Sequence, residues 1–143
     1  MATIPHLEDF AGAWTITRTI EDRKTKQDGR LTGTARIEPG GLENGYIYRE
    51  EGTLSLEGAG DMEAVRVYIW GPHKRGITVH FQDGRDFHVI ELDRLMPNAQ
   101  HHCAPDMYHV SYNFSRWPHW SSQWRVQGPK KDYKMITHYA PLK

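Results

Sequence analysis

The chain has 143 residues, in which 18 Lys and Arg balance 18 Asp and Glu. That neutral balance offers no basic surface for nucleic acid or an anionic membrane, and no apolar run is long enough to cross a bilayer as a helix. The length suits one domain, 1–143, with a core of its own, and a lone cysteine, Cys103, precludes an internal disulfide.

Met1 to Asp9 lacks the cationic and apolar blocks of a signal peptide, so the expected location is the cytoplasm. Ile4 to Ala11 reads as a short helical turn, with Leu7 and Phe10 at helical spacing. Gly12 follows. From Trp14 the even positions read Trp, Ile, Arg, Ile and the odd ones Thr, Thr, Thr. A period of two sends these sets to opposite faces of a strand, which puts Arg18 on the apolar face, where a cation needs a partner.

Beyond this point no segment keeps a helical period. Alternating runs bounded by Gly, Pro, Asp or Asn fall at 13–24, 29–38, 44–56, 62–71, 75–82, 85–93, 106–114, 119–127 and 132–140. The expected fold is all-β, a single antiparallel up-and-down barrel of about 8–10 strands behind the N-terminal turn. In 29–38, Leu31, Gly33, Ala35 and Ile37 face inward, and their small size is expected to leave volume for a cavity. In 44–56 the inner set is Tyr46, Tyr48, Glu50, Gly52 and Leu54. In 62–71, Ala64, Arg66, Tyr68 and Trp70 are placed inward, which leaves Val65, Val67 and Ile69 outside as a stripe suited to a homodimer.

Asp83-Gly84 between two runs predicts a two-residue type I′ hairpin. Its register pairs Gln82 with Arg85, Val79 with His88 and Ile77 with Ile90, so His88 shares the apolar face. Arg94 to Pro105 has no alternation and reads as a lid or crossing loop. In the last three runs Tyr108, Val110, Tyr112 and Phe114, then Trp120, Trp124 and Val126, then Tyr133, Met135 and Tyr139 fall inside.

These features resemble a calycin-type barrel, the group that holds lipocalins and fatty-acid-binding proteins. Gly12-Ala13-Trp14 matches the Gly-x-Trp of the first lipocalin strand. The resemblance implies that Trp14 closes the barrel floor and that a late-strand cation, Arg125, Lys130 or Lys131, packs across its ring. The chain departs from it elsewhere. The second lipocalin motif, Thr-Asp-x-x-Tyr, is missing, with Asp106-Met107-Tyr108 at about that place, and neither a C-terminal helix nor a helix-pair lid is visible. The wider pattern is similar to a family of small uncharacterised bacterial proteins with a lipocalin-like barrel. It comprises Tyr48-x-Glu50-x-Gly52, Phe81-x-Asp83-Gly84-Arg85-x-Phe87-His88, His102-Cys103-x-x-Asp106-x-Tyr108 and Gly128-Pro129-Lys130-Lys131-Asp132-Tyr133. That likeness implies a fold and no activity.

The expected lining is Arg18, Glu50, Arg66, Tyr68, His88, Tyr108, Tyr112, Trp124 and Tyr133, with Gly12, Trp14 and Arg125 structural. Two Arg against one Glu leave positive charge, suited to a carboxylate, phosphate or phenolate. The plainer alternative is that Arg18 and Glu50 neutralise each other inside a filled core. The leading function is a binding barrel for a small anionic or aromatic molecule. The alternative is a barrel enzyme, decarboxylase- or cyclase-like, with Glu50 or His88 as base, Tyr48 or Tyr68 as acid and Arg18 holding a carboxylate. His101-His102-Cys103-Ala104-Pro105-Asp106 fits no common zinc spacing and reads as a loop with a capping Asp106. His88 and His138 are the axial candidates in a haem reading without a matching motif. No metal or cofactor is therefore expected, and the expected partner is a small molecule.

Overall fold

The computed structural model describes residues 3–142. A single 3-10 turn, Leu7–Phe10, precedes ten strands. They are β1 (Gly12–Asp22), β2 (Gln27–Pro39), β3 (Tyr46–Leu56), β4 (Gly60–His73), β5 (Gly76–Phe81), β6 (Asp86–Glu91), β7 (Asn98–Cys103), β8 (Asp106–Arg116), β9 (His119–Gln127) and β10 (Asp132–Pro141). All belong to one antiparallel sheet in the order β6-β5-β4-β3-β2-β1-β10-β9-β8-β7. Every chain neighbour is a sheet neighbour apart from β6 and β7, and β1 zips to β10, as Arg18 opposite Thr137 illustrates. The result is an all-β, up-and-down, nearly closed barrel. Its one seam lies between β6 and β7, which run side by side with no ladder between them among the described residues.

The alternation in β1 does what its period dictates. Trp14, Ile16 and Arg18 are buried while Thr15, Thr17 and Thr19 are exposed. The parity placed on β4 also holds. Trp70 is buried and Arg66 and Tyr68 line the interior, whereas Val65 is 53% exposed on the outer wall.

One end of the barrel is plugged by the 3-10 turn. Phe10 is fully buried and meets the rings of Trp117, Trp120, Trp70 and Phe114 at 4.8, 5.2, 5.4 and 5.6 Å, all edge-on. Its carbonyl accepts a 2.9 Å hydrogen bond from the Trp14 indole nitrogen. Edge-to-face pairs of this kind add about 0.5–1.5 kcal/mol each to the burial itself. Gly12, at φ 124°, turns the chain from the plug into β1 through backbone that a side chain would strain.

Five expectations need correction. Arg125, Lys130 and Lys131 do not pack across Trp14, which instead rests on Trp117 at 5.6 Å and Trp120 at 5.8 Å. The register explains why. Trp14 sits opposite Pro141 at one end of β10, whereas Arg125 pairs opposite Lys134 toward the other end and binds Asp132 at 2.6 Å.

Arg94 to Pro105 is no lid. Residues 98–103 form β7 on the edge of β8, and the Tyr112 and Phe114 amides donate to the Pro97 and Leu95 carbonyls, which extends that pairing. Asp106 opens β8 and pairs with Lys131 at 3.2 Å, so it does not cap a loop.

The β5–β6 connection is one residue longer than the two-residue turn. The Gly84 amide closes on the Phe81 carbonyl and the Phe81 amide on the Arg85 carbonyl, with Gly84 at φ 93°. This is the three-residue loop with a bulge that also favours Asp-Gly. Arg85 therefore meets Phe81 rather than Gln82. The register then shifts between Val79 opposite His88 and His80 opposite Asp86, which leaves Phe87 as an extra residue. Phe87 and His88 both turn inward as a consequence.

The small residues of β2 do not provide ligand volume. Gly33 pairs with Gly52, and a Cβ at Gly33 would strike the β3 backbone at Glu51 and Gly52. None of Leu31, Gly33, Ala35 and Ile37 borders the internal cavity.

Candidate functional site

Side chains from eight strands converge on the middle of the barrel. Arg18 of β1 meets Glu50 of β3 in a bidentate pair, Nη1 to Oε1 and Nη2 to Oε2, each at 2.8 Å. The third Arg18 nitrogen, Nε, donates to Thr137 Oγ1 of β10 at 2.7 Å. Glu50 Oε2 also accepts from the Tyr48 hydroxyl at 2.7 Å, and Tyr48 shares a second 2.7 Å contact with the Tyr139 hydroxyl. Both charged side chains are almost wholly buried, at 6% and 3% exposure. Such a pair survives burial when further hydrogen bonds support it, and here every Arg18 nitrogen and both Glu50 oxygens have a partner. Arg18 and Glu50 do neutralise each other, and together they form part of the core.

Arg66 is placed differently. Its side chain is 36% exposed, and its Nε stands 3.8 Å from Glu50 Oε1, an oxygen Arg18 already occupies. The guanidinium carbon lies 5.6 Å from the centroid of the Trp124 ring, and Nη2 has only a long 3.9 Å contact to the Met135 sulfur. A cation over an indole face is held by the ring quadrupole and keeps its N–H groups for another partner.

His88 projects from the β6 bulge, and its Nε2 lies 2.7 Å from the Tyr112 hydroxyl. Phe87, the extra residue, packs edge-on to the His88 ring at 4.4 Å and contacts His101 across the seam at 5.5 Å.

The charge states follow from burial and neighbours. Burial opposes ionisation of Glu50, but the Arg18 hydrogen bonds and charge, helped by Tyr48 and Arg66, outweigh it and hold the carboxyl below its ordinary value. Burial also opposes the charge on Arg18, and Glu50 reverses that and pushes the guanidinium up. Burial drives His88 down to about 3, with the charge of His101 adding to it, so the imidazole is neutral. Burial pushes the phenols of Tyr48, Tyr68 and Tyr112 up, and that of Tyr139 up to about 12. The interior thus carries Arg18 and Glu50 as a neutral unit and Arg66 as the surplus positive charge.

Of the expected lining, Arg18, Glu50, Arg66, Tyr68, His88, Tyr112 and Trp124 border one internal cavity of about 30 Å³. Tyr108 and Tyr133 do not border it. Tyr108 packs on Phe87 at 5.4 Å and Trp124 at 6.4 Å, and Tyr133 is half-buried opposite Asp22 near the strand ends. Tyr48, Trp70, Val79, Trp120, Ser122 and Tyr139 complete the wall. Ser122 and Thr137 share the parity of inward neighbours, so strand alternation alone could have found them. A macrocycle the size of haem has no room in this cavity. His138 is exposed on the outer wall, and the His88 Nε2 is engaged by Tyr112.

No curated protein matches the sequence. The sequence profile of one family matches residues 10–141, from the Phe10 plug to the end of β10. The chain therefore belongs to DUF6314, a family of unknown function.

Proposed function

We propose that this is a lipocalin-like binding barrel for a small organic anion, received in the aromatic interior by Arg66. One observation carries the reading. The interior holds two guanidiniums and one carboxylate, and both oxygens of the carboxylate are engaged at short distance by Arg18 and Tyr48. Arg66 is thus left with unspent donors among aromatic rings. Charge-assisted hydrogen bonds to a carboxylate or phenolate are the natural use of such a group. The pKa directions favour binding over acid–base chemistry. A general acid or base works best with a pKa near the working pH, and Glu50, His88 and the buried phenols are all pushed away from neutrality.

The test is calorimetric titration with a panel of small carboxylates and phenolates at constant ionic strength, on the wild type and on Arg66→Met. Saturable binding by at least one acid, weakened about tenfold or more in the variant, is expected. A charge-assisted contact of about 1.5–3 kcal/mol corresponds to that loss. Equal affinities for the two proteins overturn the role of Arg66.

A further inference from the structure

Around the central cavity, two buried nitrogens among the described residues, Trp120 Nε1 and His88 Nδ1, have no hydrogen-bond partner. The Trp120 indole nitrogen can only donate, is buried in a residue 3% exposed, and has no hydrogen-bond partner among the described residues. His88, 8% exposed, adds a second donor by proton count. The neutral imidazole and the Tyr112 hydroxyl hold two protons between them but share one 2.7 Å contact. His88 Nδ1 has no partner among the described residues. In either tautomer one proton of the pair is left without an acceptor, on Nδ1 or on the Tyr112 oxygen. Arg66 supplies the third set of donors. The charged acceptor in the wall is already engaged, since both Glu50 oxygens receive Arg18, as does Thr137 Oγ1 beside it.

Volume narrows the occupant further. A cavity of about 30 Å³ has space for about two water-sized groups. The two oxygens of a carboxylate fill that space, whereas a benzene ring does not. The walls resist expansion, since the Trp120 and Tyr139 rings are stacked at 3.6 Å and Tyr48 is stacked on Trp70 at 5.5 Å.

We propose that the cavity among Trp120, His88, Tyr112 and Arg66 is a carboxylate seat that selects short monocarboxylates, formate and acetate, over aromatic acids. This inference rests on the anion-binding reading above and adds the size and the contacts of the ligand. The carboxylate oxygens accept from the Trp120 indole and from the His88–Tyr112 pair, and Arg66 covers the site from its half-exposed position.

The experiment is titration of the 15N-labelled protein with sodium formate, sodium acetate and sodium benzoate against sodium chloride. Five tryptophans give a small set of indole N–H signals, and Trp120→Phe assigns the one that matters. Should that variant fail to fold, mutating the other four tryptophans singly assigns it by elimination. The Trp120 signal is expected to shift saturably with formate and acetate, and benzoate is expected to leave it in place. His88→Phe, which removes one of the donors, is expected to weaken formate binding about tenfold. Movement of the Trp120 signal by benzoate alone, or Arg66-dependent binding of larger acids with that signal unmoved, sinks the carboxylate seat and spares the anion-binding reading. If no acid in either panel binds, both fall.

Discussion

Arg18→Met removes the cationic head of the central pair while keeping most of its stem. Glu50 is then buried with one hydrogen bond from Tyr48 and with Arg66 no closer than 3.8 Å. Breaking a buried pair from one side costs about 3–5 kcal/mol, because the surviving charge is left uncompensated. Loss of the Thr137 contact belongs to the same figure. A domain of this size has about 5–15 kcal/mol in total, so the variant folds with little to spare. The double variant Arg18→Met/Glu50→Met removes the stranded charge and is expected to recover most of the loss.

The sign of the pH dependence separates this account from simple loss of packing. In the wild type the folded Glu50 lies below its unfolded value, so its stabilisation is present above about pH 4.3 and is lost as the pH falls through the folded value. In Arg18→Met burial acts without its main opponent and lifts the folded carboxyl above the unfolded one. Between pH 7 and pH 5 the single variant is then expected to gain stability relative to the wild type, whose folded Glu50 contributes no slope in that range and whose His88 slope the variant shares. Urea unfolding followed by tryptophan fluorescence at the two pH values measures it. A single variant within about 1 kcal/mol of wild type at pH 7, with the wild-type acid slope, would refute the placement of Glu50 as a buried, Arg18-dependent charge.

Two further expectations concern the plug and the imidazole. Phe10→Ala opens a hole among four rings and should cost about 3–5 kcal/mol, read as a lowered urea midpoint; a midpoint near wild type would mean that the turn does not seal the barrel. His88 is depressed to about 3 when folded against about 6.5 unfolded, so its stabilisation is complete above about pH 6.5 and declines below it by about 1.4 kcal/mol per pH unit. His88→Gln should flatten the stability profile between pH 6.5 and 5, and an unchanged slope there counts against a neutral buried His88.

Period-two reasoning reached much of this site because most of the lining depends on parity alone. Arg18, Glu50, Tyr68, Tyr112 and Trp124 point inward for the same reason as their apolar neighbours two residues away. Parity failed where the count slips. A bulge adds one residue to β6, so Phe87 joins His88 inside, and no alternation rule anticipates two adjacent inward positions. It failed again at β7, whose Asn-Ala-Gln-His-His-Cys run lacks the β-branched and aromatic residues that mark a strand and is held instead by the ladder of β8. Parity offered Glu50 as a partner for Arg18 but could not choose between that pairing and a free cation. Glu50 is two strands away and four register positions from the residue in line with Arg18, an offset that alternation does not reveal. That pairing also decides the chemistry. By taking the short contacts to Glu50 deep in the barrel, Arg18 leaves Arg66, on the strand beside β3 and nearer solvent, with a 3.8 Å share of that carboxylate and makes it the surplus cation of the interior.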